Sequence, residues 1–195
     1  MRTPGEKVVA ELGAFAGPEG WIQGARRAPS PNADARPVGV SPTLLVVHGI
    51  SLPAGQFRGD AIEKLFLNRL TPSAPFDDEL CALRVSAHLL IRRDGEMIQF
   101  VPFVERAWHA GVSIFDGVER CNDFAIGVEL EGTDEIPYAD VQYVRLASVA
   151  RAVMARWPMI TPSRIVGHSD IAPGRKTDPG PAFRWEEFFR ELNRP

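Results

Sequence analysis

Short apolar runs and one long amphipathic stretch alternate along the chain, and their spacing sets the expected elements. Leu44-Leu-Val-Val-His48 reads as a strand buried on both faces and ending in a histidine. Residues 60 to about 70 put Ile62, Leu65, Phe66 and Arg69 at helical spacing, and a Pro-rich loop then runs through Pro75. Two apolar runs, Leu89-Leu-Ile-Arg-Arg and Glu96-Met-Ile-Gln-Phe-Val, flank Asp94-Gly95, a strong hairpin signal. Ala125-Ile-Gly-Val-Glu-Leu-Glu131 alternates strictly. Ile126, Val128 and Leu130 share one face, expected to be core; Ala125, Gly127, Glu129 and Glu131 share the other. Two carboxylates beside two very small residues predict a cleft floor where a ligand approaches the sheet. A helix is expected from Asp140 to about Arg156, with Leu146, Val149, Val153 and Trp157 on one stripe and Pro158 beyond its end. Arg164-Ile-Val-Gly-His168 predicts a second strand ending in histidine. Trp185, Phe188, Phe189 and Leu192 then place a last helix on the core.

Strands and helices interleave while the hairpin demands antiparallel pairing. The expectation is a single α/β domain with a mixed central sheet flanked by helices. Residues 25 to 42, rich in Pro, Arg, Asn and Asp, read as a fixed loop leading into the first strand, or as a plain surface arm.

Composition narrows the function classes. With 195 residues, 45% hydrophobic and 24% charged, the chain has material for one sizeable core. A net charge of -3 argues against broad contact with nucleic acid or an anionic membrane, so a small molecule is the expected partner. Cys81 and Cys121 form no CxxC pair and no disulfide framework, which fits a reducing compartment and two core positions. In residues 1–20, Glu11 interrupts the apolar run at Val8-Val9-Ala10 before a leader segment can form. No stretch reaches membrane-spanning length. The expected location is therefore the cytoplasm.

The chemistry gathers at strand ends. His48 and His168 each close an apolar strand, and parallel strands would bring both imidazoles to one sheet edge. Asp178, ten residues after His168, completes a two-histidine, one-carboxylate set, which suits one Zn2+ with a position left open for water. Glu129, on the small-residue face, is the candidate proton carrier, because partial burial would raise its pKa toward the working range. Glu131 faces the same way, nearer the strand end, and reads as supporting or solvated. Lys176 stands out against composition: the chain has nineteen Arg and three Lys, and this lysine lies two residues from Asp178. A compact cation there suits a developing oxyanion. Trp108, in Trp108-His109-Ala110-Gly111, could line a cleft or pack internally. Arg84 and Arg120 could hold a substrate carboxylate or be solvated. The competing reading of each histidine, His88 and His109 above all, is a hydrogen-bonded structural residue; of Glu129, an ion pair with an arginine; of Lys176, a loop cation.

Taken in order, these motifs resemble the zinc-dependent N-acetylmuramoyl-L-alanine amidases, most closely the cytoplasmic type acting on anhydromuramyl peptides. The carriers are Ser30-Pro-Asn-Ala-Asp-Ala-Arg-Pro37, Leu45-Val-Val-His48, Val85-Ser-Ala-His88, Arg106-Ala-Trp-His-Ala-Gly111, Cys121-Asn-Asp-Phe124, Ile126-Gly-Val-Glu-Leu-Glu-Gly132, Gly167-His-Ser-Asp-Ile-Ala-Pro173 and Arg175-Lys-Thr-Asp-Pro-Gly180. The resemblance implies zinc on His48, His168 and Asp178, Glu129 as general base and acid, and Lys176 stabilising the tetrahedral intermediate. It also implies the fold shared with peptidoglycan-recognition proteins, an amidase domain over 21–195 after an extension over 1–20, and a monomer. The implied substrate is a small muropeptide cut between the lactyl group and L-alanine. Two departures bear on specificity: Gly49 stands where that type usually has asparagine, and residues 71–76 lack its His-Pro. Two alternatives remain, a lytic amidase on intact peptidoglycan and a non-catalytic peptidoglycan-binding module.

Overall fold

The computed structural model describes residues 14–194, so most of the leader reading falls outside the described residues. Strand β1 (Arg26–Arg27) and β2 (Ala33–Asp34) precede β3 (Leu44–Ile50), α1 (Ala61–Phe66) and α2 (Asp78–Ala82). The chain continues through β4 (Leu89–Ile91), β5 (Met97–Gln99), β6 (Arg106–Ala107), β7 (Ile114–Phe115), β8 (Val118–Glu119) and β9 (Ala125–Glu131). It closes with α3 (Asp140–Arg156), β10 (Ile165–Gly167), α4 (His168–Ile171) and α5 (Trp185–Leu192).

Six strands form one sheet in the order β1-β5-β4-β9-β3-β10, parallel throughout except for the β4–β5 hairpin. The mixed sheet expected from the Asp94-Gly95 turn is present, and Gly95 takes a φ of +87° that favours glycine. Both faces are covered. Leu45 and Val47 of β3 and Ile126, Val128 and Leu130 of β9 meet Leu146, Val149 and Val153 of α3 and Phe188 and Leu192 of α5. On the opposite face α1 packs Ile62, Leu65 and Phe66 against Leu90 and Ile98. This two-sided burial explains why the central strands read as apolar runs. Buried Gln142 ties α3 to the sheet, its amide donating to the carbonyls of Ile91 and Glu131.

Several expectations are corrected. Helix α1 ends at Phe66 rather than near residue 70, because Asn68 turns left-handed with φ 56°. Residues 25–42 carry β1 and β2, and the loop is anchored through Arg36, whose guanidinium donates to the carbonyls of Phe103, Asn122, Asp123 and Ala125. Cys121 is core, but Cys81 is only half-buried. Residues 14–20 of the expected extension contact the core, with Phe15 edge-on to Phe103 and Trp157.

The small-residue face of β9 serves the protein's own packing, contrary to the expected ligand floor. A Cβ on Gly127 would lie 2.5 Å from the ring of His109, so this glycine makes room for a half-buried histidine. Ala125 joins Leu44, Val46 and Ile171 in a third apolar cluster. Gly127→Ala is expected to destabilise the fold by about 1–3 kcal/mol through overpacking. Urea unfolding of the variant checks this, and an unchanged midpoint would show that the His109 ring yields freely.

Candidate metal centre and active site

The parallel pairing of β3 with β10 and β9 assembles the centre. His48 sits directly opposite Glu129 in the β3–β9 register, and His168 follows the last residue of β10. Both histidines therefore emerge at the same end of the sheet, as their strand positions require. Asp178 arrives on the loop after α4, whose return is tied by the Ser169 N–H donating to the Asp178 carbonyl.

The three donors converge. His48 Nδ1 lies 2.9 Å from His168 Nδ1 and 3.3 Å from Asp178 Oδ2, and His168 Nδ1 lies 3.1 Å from the same oxygen. Ligand atoms about 2.0 Å from a tetrahedral ion stand roughly 3.3 Å apart, so this triangle fits a small divalent metal after an adjustment of a few tenths of an ångström. Among the described residues this is the one group of that kind. Chemistry on the far side of each ring agrees. His168 Nε2 faces the Ala110 carbonyl at 3.2 Å, so it carries the proton and leaves Nδ1 as a free donor. His48 Nε2 lies 2.9 Å from His109 Nδ1.

Glu129 is buried beside His48, and its Oε2 has no hydrogen-bond partner. Burial, then the neighbouring Asp178 charge, push its carboxyl well above the usual range, partly offset by Lys176. Among the described residues no arginine pairs with it, which argues against the structural ion-pair reading. Glu131, two residues on, is the opposite case: it accepts from the Arg92 guanidinium and from the backbone N–H groups of Arg58 and Arg93. It is neither solvated nor available. Asp178 is driven up by burial but more strongly down by its close contacts with the His168 and His48 rings, and ends well below the usual carboxylate range.

The remaining expected residues lie around this core. Lys176 is exposed, and its charge acts on both His48 and Glu129. Arg120 lines a groove of about 620 Å³ beside His168, together with Val112, Ile114, Ile171 and Arg175. Arg84 turns back onto the carbonyls of Cys81, Ala82 and Leu83 at the end of α2. Trp108 is half-buried with its indole near the Asp34 carboxylate. None of these three touches the donor triangle. Gly49 has a local counterpart: a Cβ there would lie 2.3 Å from the Tyr138 hydroxyl, which donates to the Pro179 carbonyl beside Asp178. Tyr138, His109 and Asn122 were not legible as site residues, because each acts through a neighbour distant in sequence.

The buried imidazoles carry a stability consequence. Burial pushes His48 down to about 4. Burial and the Arg36 charge hold His88 well below the usual imidazole range, as burial and the surrounding histidines do for His109. These three folded-state values are depressed, so their stabilisation is complete above about pH 6.5 and is lost as pH falls, when unfolded imidazoles take up protons. Glu129, raised instead, returns part of that loss. Chelator-treated protein is expected to lose stability between pH 7 and pH 5. Urea midpoints across that range check it; constant midpoints would show that the rings titrate without unfolding.

Comparison with known proteins places these features. The chain is 60% identical over 171 residues to the 1,6-anhydro-N-acetylmuramyl-L-alanine amidase AmpD of Escherichia coli, covering 87% of this chain and 93% of that protein. A crystal structure of AmpD superposes with a TM-score of 0.87 at 54% identity, covering 91% of this chain and 99% of that one. The Pseudomonas aeruginosa amidase AmpDh3, solved in complex with anhydromuramic pentapeptide, matches at TM-score 0.57 and 30% identity over 77% of this chain and 59% of its own. A family model described as N-acetylmuramoyl-L-alanine amidase runs from residue 39 to 181, through both histidines, Glu129 and Asp178, and the chain belongs to that amidase family.

Proposed function

We propose that this amidase uses one zinc ion, held by His48, His168 and Asp178, to cleave the amide between the lactyl group of anhydro-N-acetylmuramic acid and L-alanine in recycled muropeptides. The observation that carries the reading is the donor triangle set beside a buried carboxylate oxygen that has no partner. Bound zinc supplies Lewis acidity, lowering the pKa of water and polarising the amide carbonyl. Glu129, opposite His48 in the register, takes the proton from the attacking water and delivers it to the leaving L-alanine nitrogen. Its raised pKa suits both halves of that transfer. Lys176 offers a cation to the developing oxyanion. Arg120 at the groove, Arg84 and Trp108 are assigned to substrate binding, the arginines for carboxylates of the peptide.

The substrate class rests on the AmpD relatives, named for anhydromuramyl-L-alanine cleavage, and on AmpDh3 bound to anhydromuramic pentapeptide. We assign the amidase domain to residues 21–195, with 1–20 as an extension, acting as a cytoplasmic monomer. No helix among the described residues is long and apolar enough to cross a membrane.

Incubation of the zinc-loaded protein with soluble anhydromuramyl tripeptide is expected to release free peptide, detected by mass spectrometry. No release with zinc present would sink the proposal. Faster release from intact sacculi than from soluble fragments would favour a lytic amidase instead.

A further inference from the structure

One dipeptide, His109-Ala110, faces both of the proposed histidine ligands. The Ala110 carbonyl faces His168 Nε2 at 3.2 Å, and the adjacent His109 ring places Nδ1 2.9 Å from His48 Nε2. If His48 binds a metal through Nδ1, its Nε2 carries the proton, and that proton needs an acceptor from the protein, His48 being only 1% exposed. His109 Nδ1 is the acceptor the geometry provides. Its placement is controlled from three sides. Asn122 Oδ1 accepts from the backbone N–H groups of both His109 and Ala110, at 3.1 and 2.8 Å. Gly127 leaves the space the ring occupies, and the ring stands edge-on to His48 at 5.0 Å between centroids.

The alternative, a histidine kept for packing alone, is at odds with its hydrogen bonding. His109 Nε2 is buried with no partner. A buried polar atom left unpaired is destabilising, so an apolar side chain of similar size would serve a purely structural purpose better. His88 shows what a structural histidine looks like here: its Nδ1 accepts from the Gly127 N–H and its Nε2 faces the Glu105 carbonyl. Both of its nitrogens are used, and only one of His109's is.

We infer that His109 is a positioning residue for the metal centre: by accepting the Nε2 proton of His48 it fixes the tautomer that presents Nδ1 to the ion. The inference rests on the zinc reading above and extends it to a residue outside the ligand set. Partners of this kind typically change metal affinity 10–100-fold when removed.

The test compares zinc affinity, by chelator competition, in His109→Leu and His109→Asn. Leucine fills the space without an acceptor, whereas asparagine places Oδ1 near the position of Nδ1. Leucine is expected to weaken binding by about 10–100-fold and asparagine to restore it to within about 3-fold. Affinity unchanged in His109→Leu would overturn the inference, as would a folded His109→Asn that binds no better than leucine. A second readout needs no variant: in zinc-loaded parent protein, nitrogen NMR should find the His48 ring protonated at Nε2, and a proton on Nδ1 would overturn the inference. Failure of the parent protein to bind zinc at all would instead reject the zinc reading, so the two failures are distinguishable.

Discussion

Glu129→Ala is expected to retain one zinc per chain while turnover falls by about 100-fold or more. The carboxylate is not one of the three converging donors, so its loss leaves the triangle of His48, His168 and Asp178 intact. What it removes is the proton carrier. Its unpartnered oxygen lies at the same level of the sheet as His48, where an attacking water and a leaving amine must both exchange protons. A 100-fold loss corresponds to about 2.7 kcal/mol of transition-state stabilisation, at the lower end for general acid–base catalysis. Steady-state rates on the soluble substrate, with zinc content measured on the same sample, check the result. Glu129→Gln should fall as far, because it keeps the size and loses the base. Near-normal rates in either variant would take Glu129 out of the mechanism.

Asp178→Ala is expected to abolish hydrolysis by removing the metal. Structural zinc sites bind with roughly 10–16 kcal/mol across four ligands, so one lost donor forfeits about 3–4 kcal/mol, or two to three orders of magnitude in affinity. Asp178 is also the only anionic member of the set. The folded chain should survive the change. The two imidazoles left behind lie 2.9 Å apart and can donate one to the other, and the loop keeps its Tyr138–Pro179 and Ser169–Asp178 backbone anchors. Metal analysis after dialysis against a mild chelator, with circular dichroism for folding, checks both halves. Full zinc retention would show that the ligand set lies elsewhere.

The central strands, α3 and the Asp94-Gly95 hairpin were legible because their side-chain periods follow directly from which faces are buried. The convergence of His48 and His168 was legible for a related reason: a histidine ending an apolar run can only sit at a sheet edge. The two-residue strands β1, β2, β6, β7 and β8 carry no period, so nothing in the sequence marked them. Gly127 was read as a place where a ligand approaches closely, whereas the approaching group is the protein's own His109 ring. The two residues lie eighteen positions apart, and only the fold brings them together. Glu129 and Glu131 were likewise indistinguishable by face, since what separates them is Arg92, which arrives from the hairpin.

That separation sets the charge balance of the cleft. Strand β9 points two carboxylates the same way, yet Glu131 is cancelled by Arg92 and Glu129 is held toward its neutral form by burial. With Glu129 ionised to act as base, a divalent ion would be balanced by it and by Asp178; once Glu129 has taken a proton, a change its burial favours, one positive charge stands in excess, and the Lys176 charge adds to it. The neutral amide of the ground state meets no such excess. The same amide, once its carbonyl oxygen turns negative, meets a surplus charge that no other side chain on the strand has already neutralised.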